Sequence, residues 1–192
     1  MRSKIIIAMG ICLLAGLAES VVITFDFRNS LDLYTALDDL AGPVSFTNSG
    51  VVATFTASEG AMNRTTSGFG INAVSGSDDT DAFDMGEWIA ITFNQAVTIT
   101  NVTVSSWSAG VDGGQIKIGG NTAYTISATG SHVLDDAISM GTVLRIESTA
   151  GTIGNGWSLD SLSVNVVPEP ATFGLLGLGG LVAWMLRRVA RP

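Results

Sequence analysis

Apolar and polar residues alternate with a period of two through most of the middle of the chain. Ile23-Thr24-Phe25-Asp26-Phe27 and Val52-Ala53-Thr54-Phe55-Thr56 alternate, as do residues 88–93 and 97–104. The pattern returns over 115–118, 123–126, 143–146 and 157–164. Successive side chains on a strand point to opposite faces, so each stretch predicts a strand with one face in a core. Gly113-Gly114, Gly119-Gly120-Asn121 and Gly154-Asn155-Gly156 read as turns between them. One short helix is predicted over 31–40, with Ser30 as its N-cap. Eight or more short strands at this spacing predict an all-β fold, an antiparallel β-sandwich of jelly-roll type. No repeat of fixed period is visible, which argues against a solenoid or propeller.

The two ends of the chain follow another pattern. Residues 171–186 are sixteen in a row without a charge. As a helix they would rise about 24 Å, against a hydrocarbon core of about 30 Å that usually needs about 20 residues. Arg187 and Arg188 can snorkel to the headgroups and extend the span, and the basic end should stay cytoplasmic. Pro168 and Pro170 keep the backbone before the run extended and cannot continue a helix backwards. At the other end, Arg2 and Lys4 precede an apolar stretch over 5–17 and then small residues, the form of a secretory signal. Gly16-Leu17-Ala18 fits a small-x-small site, with cleavage after Ala18 and Ser20 as the alternative. The predicted organisation is a signal peptide at 1–20, a β-sandwich at 21–166 and a tail at 167–192. The tail divides into a motif at 167–170, a transmembrane helix at 171–186 and a basic end at 187–192.

Charge and cysteine count narrow the chemistry. The lone cysteine, Cys12, falls inside the signal. The mature protein is then cysteine-free, with no disulfide, no catalytic thiolate and no cysteine-type zinc site. Between 21 and 167 stand four basic residues (Arg28, Arg64, Lys117 and Arg145) and fifteen acidic ones, a net charge of −11 against −8 for the whole chain. Nucleic acid and an anionic lipid face are disfavoured as partners on that balance, while divalent cations and neutral polymers suit it.

The densest acidic stretch is Asp78-Asp79-Thr80-Asp81-Ala82-Phe83-Asp84-Met85-Gly86-Glu87. Calcium takes oxygen ligands and would relieve the repulsion, with Asp79, Asp81, Asp84 and Glu87 as candidate ligands. The spacing is not that of an EF-hand, and the competing reading is a solvated acidic loop. First and last strands often lie side by side in such folds, which would bring Asp26 near Asp160 as a second cation site. Its competitor is a plain surface Asp26. Of the tryptophans between the two signals, Trp88 and Trp157 open strands and suit a core. Trp107 begins a loop and is the candidate for stacking on a sugar ring, although large aromatics in sandwiches usually fill the core. His132 is the only histidine, so no multi-histidine zinc site exists, and no Gly-x-Ser-x-Gly elbow is present.

The tail resembles the PEP-CTERM sorting signal of Gram-negative bacteria. The resemblance rests on Val167, Pro168, Glu169 and Pro170, the apolar run at 171–186, and the closing Arg187, Arg188 and Arg191. It implies temporary retention in the inner membrane, processing near the motif by an exosortase-type membrane protease, and delivery to the cell surface or the exopolysaccharide matrix. A GPI signal would end in its apolar tail, and the three arginines argue against that. The middle of the chain is loosely similar to jelly-roll carbohydrate-binding and discoidin-like domains. That similarity is carried by Phe69-Gly70-Ile71-Asn72, by residues 84–93 and by the closing stretch 157–164.

The expected protein is thus an exported, non-catalytic structural or adhesive surface component that binds glycan, with calcium as the candidate cofactor. One alternative is an exported polysaccharide hydrolase working through carboxylates. The other is a surface protein anchored permanently by the 171–186 helix.

Overall fold

A computed structural model describes residues 20–28, 40–65, 68–72, 82–151 and 156–166. These form twelve strands: β1 (Val22–Asp26), β2 (Val44–Asn48), β3 (Val51–Ala57), β4 (Ala61–Thr65), β5 (Gly68–Asn72) and β6 (Trp88–Phe93), then β7 (Val97–Ser105), β8 (Gly113–Ile118), β9 (Asn121–Ile126), β10 (Gly130–Ile138), β11 (Leu144–Ala150) and β12 (Ser158–Val166). They make two six-stranded sheets. The first runs β10-β7-β12-β5-β4, with β1 also paired to β12. The second runs β2-β3-β6-β11-β8-β9. Every pairing is antiparallel. The all-β sandwich read from the alternation is the fold observed.

The alternation explains the layers. Ile89, Ile91 and Phe93 of β6 are buried, while the residues between them are only partly so. Val51, Ala53 and Phe55 of β3 do the same. From the other sheet, Val97, Ile99, Val102, Val104, Leu159, Leu162 and Val164 close the core. An aromatic chain crosses it. Phe27 stacks on Phe69 at 4.9 Å, and Phe69 meets Phe83 edge-on at 6.4 Å. Phe83 stacks on Trp157 at 4.8 Å. Pairs of this kind stabilise by about 0.5–1.5 kcal/mol each beyond their buried area.

Four strands, β2, β4, β5 and β10, lie outside the stretches read from the alternation, although Val44-Ser45-Phe46-Thr47 of β2 does alternate. In β10 the register shifts between Val133 and Asp136, and Asp135 adopts φ 63°. That bulge breaks the period of two. It also puts two carboxylates on a sheet edge, where charge discourages pairing with another chain. Gly113 and Gly114 are not a turn as predicted but the first residues of β8. A Cβ at Gly114 would lie 3.0 Å from the Trp157 ring, so the missing side chain lets the strand pass against the indole. Of the predicted helix at 31–40, residues 31–39 lie outside the described residues, and Leu40 forms a bridge with Met62. The signal peptide and the 171–186 run also lie outside the described residues. Among the described residues, no helix is long and apolar enough to cross a membrane.

Candidate functional site

The outer face of the second sheet carries a polar strip that begins with a tryptophan. In the register, Glu147 of β11 stands opposite Trp88 of β6 and Gln115 of β8. Arg145 stands opposite Ala90 and Lys117. Residues directly opposite share a face, so Trp88, Arg145, Glu147, Gln115 and Lys117 all point away from the core. Ile89, Ile146 and Ile116, one position along each strand, point into it.

Glu147 is the centre of the strip and is buried. Lys117 Nζ lies 2.7 Å from its Oε1, the Gln115 amide donates to the same oxygen, and Arg145 Nε approaches Oε2. Burial pushes the Glu147 carboxyl up, but the Lys117 and Gln115 hydrogen bonds and the Arg145 charge outweigh it and hold the group below its ordinary value. The Arg145 guanidinium also sits over the Trp88 ring, 4.5 Å from its centroid. The Thr122 hydroxyl donates to Gln115 Oε1 at 2.9 Å, extending the strip to β9. Two of the four basic residues of the 21–167 region therefore lie together here. The strip combines an aromatic face, a planar guanidinium, an amide and an ammonium on one sheet face. Such a set can stack on a sugar ring and hydrogen-bond its hydroxyls.

Sequence reasoning missed this strip. The signal was present in Gln115-x-Lys117 and Arg145-x-Glu147, where polar residues two apart share a strand face. What the sequence could not supply was the order β6-β11-β8, which sets those pairs beside Trp88.

The predicted site residues are distributed otherwise. Trp107 packs against the core, with its ring 6.0 Å from that of Trp157. Asp79 and Asp81 lie outside the described residues. Asp84 and Glu87 share one turn: the Asp84 amide donates to Glu87 Oε2 at 2.7 Å, and the Glu87 amide donates to the Asp84 carbonyl at 3.0 Å. Glu87 is buried, with one carboxylate oxygen engaged by its own backbone turn. Among the described residues, no group of three or more His, Cys, Asp or Glu is placed to hold a metal. Val167, Pro168, Glu169, Pro170, Arg187, Arg188, Arg191 and Ala18 also lie outside the described residues.

Asp26 and Asp160 do come together, because β1 pairs with β12 and Asp26 stands opposite Ser161. The cation there is Arg28. Its Nη1 lies 3.1 Å from Asp160 Oδ2, and its amide donates to Asp26 Oδ1 at 2.9 Å. Ser105 donates to Asp160 Oδ1 at 2.6 Å. Burial pushes the Asp160 carboxyl above its ordinary value, opposed by the Ser105 hydrogen bond and the Arg28 charge and reinforced by Asp26. His132 is buried, with Nε2 2.9 Å from the Ala128 carbonyl and Nδ1 3.3 Å from the Tyr124 hydroxyl. The carbonyl can only accept, so Nε2 carries a proton and donates to it.

β12 runs unbroken to Val166, and the chain beyond it is matched by a family model described as the PEP-CTERM protein-sorting motif, over residues 166–189. The chain carries a PEP-CTERM sorting signal. Such a signal implies export, anchoring in the membrane for sorting and processing by an exosortase, a membrane protease. The signal starts where the sandwich stops, since Val166 is both the last residue of β12 and the first residue matched. No curated protein and no solved structure matches the chain.

Proposed function

We propose that the exported sandwich is a non-catalytic structural or adhesive component of the cell surface or extracellular matrix, and that it holds glycan on the strip around Trp88. The observation that carries this reading is the set Trp88, Arg145, Gln115 and Lys117 on one outward sheet face. An indole offers an apolar plane to the ring of a sugar, and the fork of Arg145 and the Gln115 amide suit its hydroxyls. The two cations beside Glu147 leave the strip locally positive in an acidic domain, which favours neutral or acidic polysaccharide. Calcium enters as a second contribution through Asp79, Asp81, Asp84 and Glu87.

The test is a glycan array probed with the exported region, with calcium and with chelator, alongside Trp88→Ala. The expected result is binding to a defined glycan that Trp88→Ala abolishes. Loss under chelator would add calcium to the account. Absence of binding in every condition would contradict the glycan reading. Turnover of a polysaccharide, abolished by a single Asp→Asn change, would overturn the non-catalytic one.

A further inference from the structure

The two ends of the sandwich differ in charge. At one end lie the start of β1, the β2–β3 turn at 48–50, the β6–β7 turn at 94–96, the β8–β9 turn at 119–120 and the β10–β11 connection at 139–143. Hydrogen bonds knit these segments into one surface. Asn48 Nδ2 donates to the Thr24 carbonyl at 3.1 Å, and Asn94 exchanges bonds with Val52 at 2.8 and 3.0 Å. The Gly141 amide donates to the Phe93 carbonyl at 3.2 Å, and the Gly119 amide to the Val143 carbonyl at 3.0 Å. None of these described segments contains a charged residue. The opposite end carries Asp26, Arg28, Glu59, Asp84, Glu87, Asp112 and Asp160.

The uncharged end also exposes apolar side chains. Val21 is 56% exposed, Val22 61%, Met140 69% and Val143 41%. They are half of the large hydrophobic residues that the described structure leaves exposed. The chain leaves the sandwich at this same end, since Val166 pairs with Val97 and Asn165 with Val22. Four residues, 167–170, then separate Val166 from the apolar run at 171–186. Even fully extended, that connection reaches no more than about 17 Å.

We propose that this uncharged end rests in the headgroup layer of the membrane while the chain is anchored there. The proposal builds on the membrane anchoring that the sorting signal implies, and adds an orientation and a lipid contact. A tether this short keeps the exit end within reach of the lipid surface. Headgroup and interfacial layers add roughly 5–8 Å on each side of the hydrocarbon core. Asn, Ser, Thr and Gly turns enter that layer without desolvating a charge, and the two valines, Met140 and Val143 have apolar area to bury in it. The acidic end has the opposite preference, since carboxylates are repelled by anionic headgroups. Signal cleavage after Ala18 would make Glu19 the first residue, whose α-amino group offsets its own carboxylate and leaves this end without net charge.

The test uses the full chain, with Cys12→Ser and a single cysteine introduced by Met140→Cys or, at the opposite end, by Met85→Cys. Both positions are highly exposed, so a label there leaves the core untouched. Each variant carries an environment-sensitive fluorophore and is reconstituted into vesicles of phosphatidylethanolamine and phosphatidylglycerol containing a headgroup-linked quencher. Flotation reports anchoring independently of quenching. The expected result is co-flotation of both variants, with a severalfold greater loss of fluorescence at position 140 than at 85. Co-flotation with equal quenching at the two positions overturns the proposal and leaves anchoring intact. Failure to float overturns anchoring, and the proposal with it. Shielding of position 140 only when exosortase-containing membranes are supplied overturns the lipid contact and assigns the surface to the protease.

Discussion

The guanidinium of Arg145 covers one side of the Trp88 ring, 4.5 Å from its centroid, while its Nε turns to the Glu147 carboxylate. One arginine thus positions the only aromatic on the polar strip. Cation–π contacts at exposed sites are worth about 0.5–1 kcal/mol. A double-mutant cycle on Trp88→Ala and Arg145→Ala, read by urea unfolding, should give a coupling of about that size. Arg145→Lys keeps the charge but loses the planar fork, so glycan affinity should fall between wild type and Arg145→Ala. Equal binding by all three would remove Arg145 from the site.

Glu147 and Asp160 give the fold opposite responses to pH. The Glu147 carboxyl is held below its ordinary value of 4.5. Its stabilisation is present above that value and is lost as pH falls through the lower folded value, because the unfolded chain takes up the proton first. The Asp160 carboxyl is raised above 3.8. Its contribution is present below that value and is lost as pH rises through the raised folded value. Glu147→Gln should therefore flatten the acid side of the stability profile, and Asp160→Asn should flatten the loss on the rising side. Urea midpoints from about pH 3 to about pH 7 for the three proteins check both signs.

Glycines around Trp157 should rank by what their missing side chains leave room for. A Cβ at Gly156 would stand 2.1 Å from the Phe83 carbonyl oxygen, a backbone atom held in the Phe83–Trp157 bridge. At Gly114 it would stand 3.0 Å from the indole, and at Gly120 it would meet nothing within 4 Å. Gly156→Ala should cost the most, at or beyond the upper end of the about 1–3 kcal/mol typical of overpacking. Gly114→Ala should lie within that range, and Gly120→Ala near the roughly 1–2 kcal/mol cost of a left-handed backbone for an alanine, φ there being +90°. Thermal midpoints in the reverse order would contradict the packing described here.

Alternation alone located eight strands because most of those segments carry a run of unbroken period, as in β3 and β6, and β7 keeps one on each side of the Thr100-Asn101 step that sets Ile99 and Val102 three apart. It missed β10 because the bulge at Asp135 and Asp136 interrupts the period. It missed β4 and β5 because Asn63 and Arg64 are buried polar residues and Gly68 and Gly70 carry no side chain to pattern. Asp26 and Asp160 were legible as neighbours from strand order, yet Arg28 as their cation was not, since its role depends on the turn that follows β1. Trp107 read as a loop aromatic, but its ring reaches back to Trp157. Side-chain direction after a strand end is a tertiary property that spacing does not encode.

The sorting tail makes its own prediction. Pro168 and Pro170 should keep the segment extended for a protease to grip, one residue beyond the sandwich. Pro168→Ala and Glu169→Ala should slow processing in cells and enrich the unprocessed chain in membranes. Unchanged processing in both variants would place recognition elsewhere in residues 166–189.

The most direct measurement is mass spectrometry of the C-terminus of the protein isolated from its native cells. The account predicts a chain that ends near Pro168-Glu169-Pro170 and lacks the apolar run and its arginines. An intact terminus at Arg191-Pro192 on the mature, surface-located protein would contradict it and leave a permanently anchored sandwich in its place.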